Sequence, residues 1–254
     1  MLTVSNLSIT PVRGLALTHP NRIELVDHGV QDDRRYSLLT DAGRIFDGKK
    51  FGPLVQVSAR LEHDPERLTL NFPSGAVVTG EVALGEPMQS VIYDRRFAAR
   101  PVIGPWADAL SAHAGRELQV IRSERLSGAR DRNPVSILSD ASVEALATHG
   151  NDGRPLDARR FRMLIQVAGA HPHQEDEWMG GEVRIGQAVV HVTKPDPRCV
   201  ITTHDPDTGH ADFPTLKAIN AYRGRGADGK LHFGVYADVV TPGSVSVGDE
   251  VAPA

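Results

Sequence analysis

A chain of 254 residues suffices for one large domain or two modest ones and needs no disulfide scaffold, and its single cysteine, Cys199, can neither close an internal disulfide nor assemble an iron–sulfur cluster. A net charge of −4 excludes general affinity for nucleic-acid backbones, and no stretch approaches the ~18 apolar residues of a membrane span. With no basic head before an apolar run at the N-terminus, a cytoplasmic location is expected.

In chain order, the first hundred residues are short apolar runs cut by Gly, Pro and Asp. Strands are expected over 2–11, 21–26, 36–40, 57–62, 67–71, 77–79 and 88–93. Several alternate polar with apolar, as strands with one buried face do. Turn tripeptides at 41–43 and 73–75 make a meander or barrel the natural architecture. Pro101 to Pro105 precede a helical pattern over 106–114 that Gly115 ends. A domain boundary is placed there, giving an N-terminal domain over 1–104 and a second over 105–254. A second helix is expected from about 140 to 149, capped by Ser139 or Asp140, and a third over 214–223 with Pro214 in its first turn. Strands return over 161–167, 182–185, 188–193, 233–240 and 244–251. The fold class is mainly β with a few helices (α+β), as two β-barrel-like domains with a site between them.

Three motifs fail on inspection. Residues 43–50 nearly spell a phosphate-binding P-loop, but Lys50 replaces the hydroxyl that meets magnesium and Pro53 disfavours the helix that must follow. Residues 224–229 match dinucleotide glycine spacing but follow a helix and lead into a strand, the reverse of the required order. Both read as turns. His171, His173, Glu175 and Asp176 are ligand types without a ligand spacing, and read as a polar loop.

The informative stretch runs from Lys194 to Gly209. Two prolines stiffen the approach to Cys199, and Arg198 beside it favours thiolate, the form that attacks and binds metals. The plain alternative is a small buried hydrophobe. Residues 200–203 are expected as a short strand, and Asp205 to Gly209 as a turn whose Asp side chains bond backbone amides. Arginine far outnumbers lysine; codon bias accounts for most of it, while arginines inside motifs are candidates for bidentate phosphate contacts.

The Pro-Arg-Cys199 step, then a Thr and Asp-Pro-Asp-Thr-Gly209, resembles the cysteine motif of the MOSC family, the molybdenum-cofactor sulfurase C-terminal domains. Other pieces fall in the family's order: Thr10-Pro-Val-Arg13-Gly14; Gly29 followed by Asp33-Arg34-Arg35-Tyr36; Leu138 to Ser142 at a helix start; Arg160-Phe-Arg162; Glu175 to Trp178; and the closing Val247-Gly-Asp. The likeness spans nearly the whole chain, including the β-barrel domain that precedes MOSC domains in the branch of the mitochondrial amidoxime reducing component.

The resemblance implies a molybdenum cofactor (Mo-molybdopterin), with Cys199 as protein ligand to the metal and the catalytic residue. It implies Arg13 and Arg34 as anchors of the pterin phosphate, with Gly14, Ser142, Arg162, Arg198 and Thr202 as further cofactor contacts. Gly14 stands where the family has serine, and Met163 and Leu164 where it has Pro-Asn. The implied activity is reduction of small N-hydroxylated or N-oxygenated compounds. Electrons would come from a separate flavin, haem or iron–sulfur protein. A cofactor-binding or persulfide sulfur-carrier module without its own turnover is the alternative, and a scaffold binding a phosphorylated ligand is a third.

Overall fold

The computed structural model describes residues 1–92, 95–125 and 133–254. Seven strands close a barrel in the order Leu2–Leu7, Ile165–Ala168, Val135–Ser139, His232–Thr241, Ala188–Pro197, Glu182–Ile185 and Glu250–Pro253, which pairs back onto the first. Alternate side chains point inward, and Val4, Ile137, Val167, Val192 and Val235 fill the interior together with Leu164. Val135–Ser139 and Ile165–Ala168 run parallel, so the chain must cross over between them. Helix α1 (Trp106–Ala114) lies outside that crossover, which is carried by helix α2 (Asp140–Gly150); helix α3 (Thr215–Arg223) packs on α2.

The remaining strands form open sheets beside the barrel. One follows the order Met88–Ile92, Arg95–Ile103, Leu118–Ser123, Tyr36–Thr40 and Ile45–Phe46, with Ala83–Leu84 paired to Arg95–Ile103. A three-stranded meander runs Ser58–Glu62, Arg67–Asn71 and Val77–Glu81. Trp106 anchors α1 there: its ring is fully buried and its indole Nε1 donates to the Leu68 carbonyl at 3.0 Å. A third sheet joins Gly243–Ser246 to Arg22–Val26 and Gly29–Val30.

The mainly β reading holds. Backbone pairing crosses position 104 in both directions: Leu2–Leu7 is a barrel strand, while α1 and Leu118–Ser123 belong with the first sheets. Several local expectations change. The strand expected over 2–11 ends at Leu7, and beyond it Ile9 only bridges Thr18, while the strand expected over 188–193 runs on to Pro197. Residues 200–203 form a 3₁₀ turn, because the Thr202 and Thr203 hydroxyls bond the carbonyls of Cys199 and Val200, three residues back. The strand expected from 161 starts only at Ile165, since Ala158–Phe161 is a 3₁₀ turn and Arg162 is left-handed. The closing strand splits into Gly243–Ser246 and Glu250–Pro253, with Gly248 left-handed between them. The strand over 88–93 is described as Met88–Ile92, and Tyr93 lies outside the described residues. Among the described residues no helix is long and apolar enough to cross a membrane.

Candidate functional site

Cys199 sits at the end of the barrel strand Ala188–Pro197, with its backbone held from both sides. Before it, the Arg198 amide donates to the Leu231 carbonyl at 2.7 Å, and the Arg198 guanidinium is clamped onto the Asp196 carboxylate and the Phe161 carbonyl. After it, the Cys199 carbonyl accepts from the Thr202 amide at 3.2 Å and the Thr202 hydroxyl at 3.0 Å. The thiol is half-buried and free of any disulfide. The Asp205 side chain accepts from the amides of Asp207 and Thr208 at 3.0 and 2.7 Å, closing the turn expected there.

The thiol lines an open-mouthed cavity of about 730 Å³, counting the solvent in its mouth. Arg13, Gly14, Arg34, Arg162, Arg198 and Cys199 all line it. The Arg13 backbone N–H donates to the Tyr36 carbonyl at 2.9 Å. Gly14 is left-handed with φ of 88°, and a Cβ on it would stand 3.2 Å from the Gly48 nitrogen. This backbone favours glycine: a side chain there would be strained and would press on the 47–48 loop.

Arg34 and Arg162 face one another with left-handed backbones, φ of 56° and 54°. Such a conformation costs a non-glycine residue about 1 kcal/mol or more and persists only where its surroundings enforce it. Here they do. Asp33, fully buried, accepts from the Thr10 amide at 3.0 Å and from Arg34 at 2.6 Å. Arg34 donates to the Arg162 carbonyl at 3.2 Å, and Arg162 to the Leu15 carbonyl at 2.7 Å. Burial, with help from Arg34 and Arg13, pushes the Arg162 guanidinium down to about 9, against the pull of Asp33 and Asp47. Arg162 thus sits beside like charges, Arg34 and Arg13, on one wall of the cavity.

Two predicted residues do not reach the cavity wall. Ser142 is fully buried; its hydroxyl donates to Glu175 at 2.7 Å and accepts from the His173 amide at 2.8 Å, so it knits α2 to the following loop. Thr202 is folded behind the cysteine, with its carbonyl taken by Thr215 and Arg160. The two residues at the family's Pro-Asn positions also face away. Met163 belongs to the core under α2 and α3, and Leu164 to the barrel interior. The residues missed from sequence are Asp47, Lys49, Asn133, Ser136, Asp196 and Tyr236, all on the wall. Gly48-Lys49-Lys50 was the available signal for Lys49: the P-loop lookalike holds the short strand Ile45–Phe46 and then a turn over 48–50 that packs on the cysteine loop, where a Cβ on Gly48 would meet Ile201 at 2.8 Å. The histidine–carboxylate loop disperses. His171 pairs with Glu177, His173 meets Tyr222, and among the described residues no group of three metal-binding side chains forms.

The arrangement offers one soft sulfur donor in a mixed wall rich in arginine, suited to a metal-bearing, phosphorylated ligand. The MOSC domain profile matches residues 123–252 and the MOSC N-terminal beta barrel domain profile residues 1–99. The chain therefore belongs to the MOSC domain family. It is 34% identical to mitochondrial amidoxime-reducing component 1 of Mus musculus over 98% of this chain and 81% of that protein. It is also 27% identical to molybdenum cofactor sulfurase of Caenorhabditis briggsae over 92% of this chain and 33% of that protein. Among solved structures, the YUAD protein from Bacillus subtilis aligns with 99% of this chain and 94% of that one, at a TM-score of 0.49 and 12% identity.

Proposed function

We propose that the chain is a molybdenum-cofactor-dependent oxidoreductase reducing N-hydroxylated or N-oxygenated small molecules, with Cys199 as the protein ligand to the metal. One observation carries this reading: the lone thiol shares a cavity with Arg13, Arg34, Lys49 and Arg162. The residues present fit the group. A phosphate offsets the crowding of Arg13, Arg34 and Arg162, and a thiolate is a soft ligand matched to a sulfur-bound metal. When bound, the cofactor supplies two-electron oxygen-removal chemistry. The chain's own part is to hold and orient: Arg13, Arg34 and Arg162 grip the anionic end, and the Arg198 clamp with the Thr202 bonds fixes the direction of the Cys199 side chain. One cysteine cannot hold an iron–sulfur cluster, so a separate flavin, haem or iron–sulfur protein delivers the electrons.

Expression in cells competent for cofactor synthesis, followed by elemental analysis, is expected to give stoichiometric molybdenum. Cys199→Ser is expected to keep the pterin and abolish turnover. Molybdenum at background level, or a fully loaded sample that no reductase system stimulates, defeats the reading. A second reading, a persulfide carrier, draws support from the accessible position of Cys199 beside exposed Val200. Native mass spectrometry separates the two, as one extra sulfur on Cys199 against the mass of a molybdenum pterin.

A further inference from the structure

The barrel strand Val135–Ser139 is entered through Asn133 and Pro134, and on the cavity wall Asn133 carries a buried acceptor whose hydrogen bonding is incomplete. Its side chain is 7% exposed and lines the cavity with Cys199 and Arg162. The amide nitrogen donates to the Asp238 carboxylate at 2.8 Å and to the Thr193 hydroxyl at 3.2 Å. Thr193 in turn gives its own proton to the Tyr236 carbonyl at 3.3 Å, so towards Asn133 it accepts. A carboxylate only accepts, so the amide cannot be turned round: both N–H groups are spent and the oxygen must face the other way. That oxygen, Oδ1, is buried and has no partner among the described residues. The backbone is fixed too, because Pro134 restricts the residue before it to extended conformations, and left-handed Gly29 packs against the Pro134 carbonyl, where a Cβ would stand 3.1 Å away. A buried acceptor left unmade is costly, and native proteins rarely keep one without a use.

We infer that the side-chain oxygen of Asn133 accepts a hydrogen bond from an N–H or O–H group of the molecule bound in the cavity. Naming that donor as a pterin ring N–H or the substrate's N–OH rests on the function proposed above. The two sources share one chemistry and part in the experiment.

Asn133→Ala is compared with the wild type in three measurements: molybdenum content, KM against kcat for benzamidoxime, and the inhibition constant of trimethylamine N-oxide, which carries no N–H or O–H. A loss of molybdenum on the order of 10-fold supports the inference with the pterin as donor. A KM rise of similar size, with kcat and the N-oxide constant unmoved, supports it with the substrate as donor. Unchanged values in all three overturn it, and Oδ1 then holds a water only. Should the variant melt early, Asp238→Asn decides. Asp238 is exposed, and the change removes the acceptor that forces the amide's orientation. The same trend in weaker form supports the role; wild-type values overturn it. If the wild-type chain carries no molybdenum, the proposed function fails on its own. Calorimetric titration of benzamidoxime into the chain as isolated then judges Asn133: tighter binding by wild type than by Asn133→Ala supports the contact, and equal or absent binding overturns it.

Discussion

Gly52 and Gly209 touch backbone to backbone, and this contact ties the first sheets to the cysteine loop. A Cβ built on Gly52 falls 1.9 Å from the Gly209 carbonyl oxygen, and one on Gly209 falls 2.1 Å from the Gly52 carbonyl carbon. Gly52→Ala must therefore open the contact by about 1.5 Å to reach the 3.4 Å at which ordinary packing begins. Neither neighbour is a flexible side chain that can swing aside. Overpacking of this kind costs about 1–3 kcal/mol, and a rigid backbone partner puts Gly52→Ala at the upper end. For a chain of this size that is a fall in melting temperature of roughly 6–10 °C. Gly43→Ala is the control. Gly43 is left-handed with nothing within 4 Å of its would-be Cβ, so its substitution carries only the left-handed cost of about 1–2 kcal/mol. Gly209→Ala combines both costs, since its φ is 74°. Differential scanning fluorimetry and urea denaturation measure the stability, and molybdenum content reads the displacement passed through His204 to Cys199. Gly52→Ala melting within about 1 °C of wild type, with full metal content, would refute the reasoning.

Removing the partner of a buried charge is expected to be severe: Arg34→Ala strands the fully buried Asp33 carboxylate and should cost about 3–5 kcal/mol by urea denaturation, whereas Asp33→Asn with Arg34→Ala together should cost less than the sum. Phosphate should raise the melting temperature of the cofactor-free chain, about 1.4 kcal/mol at ten times its dissociation constant, and Arg162→Gln should blunt that gain. Burial, seconded by Arg223, pushes His173 from 6.5 down to about 4, so the stability from keeping it neutral is present above 6.5 and lost as pH falls through that window. Partial exposure limits the loss to about 1–2 kcal/mol, and His173→Gln should flatten the profile between pH 7 and 4. Glu175 has the opposite sense: burial raises its carboxyl, so its ionisation costs stability as pH rises through the folded value, and Glu175→Gln should be the more stable protein on the alkaline side.

The helices were legible because their ends carry chemistry that acts locally. Ser139 accepts from the Ser142 amide at the start of α2, and Gly115 takes the left-handed position after α1. The strand Arg95–Ile103 escaped notice because Arg95, Arg96, Arg100 and Pro101 break its apolar pattern, although it pairs with the neighbouring strands Met88–Ile92 and Leu118–Ser123. Nothing local says that Leu2–Leu7 closes a barrel against Glu250–Pro253. In the site, motif order brought Arg13, Arg34, Arg162 and Cys199 together in advance. Ser142 shows the limit of that route: its place at a helix start was readable, but whether its hydroxyl faced a ligand depended on Glu175, thirty-three residues away. Lys49 shows the converse, a residue set aside with a failed motif that the fold then delivers to the wall.

The cavity wall is assembled from both bodies of the molecule, with Arg13, Arg34 and Lys49 from the first sheets and Asn133, Arg162 and Cys199 from the barrel. Its central joint is the bond from Arg34 to the Arg162 carbonyl, made between two left-handed residues of like charge. Strain and repulsion both oppose that joint, and Asp33 and the Leu15 carbonyl hold it from either side. An anion between the two guanidinium groups removes the repulsion while leaving the strain, so it binds the joint more favourably than either body alone. Ligand binding and docking of the first sheets on the barrel are then one linked equilibrium. Occupancy should protect the Thr10–Arg34 backbone amides from hydrogen exchange as strongly as it protects those around Cys199.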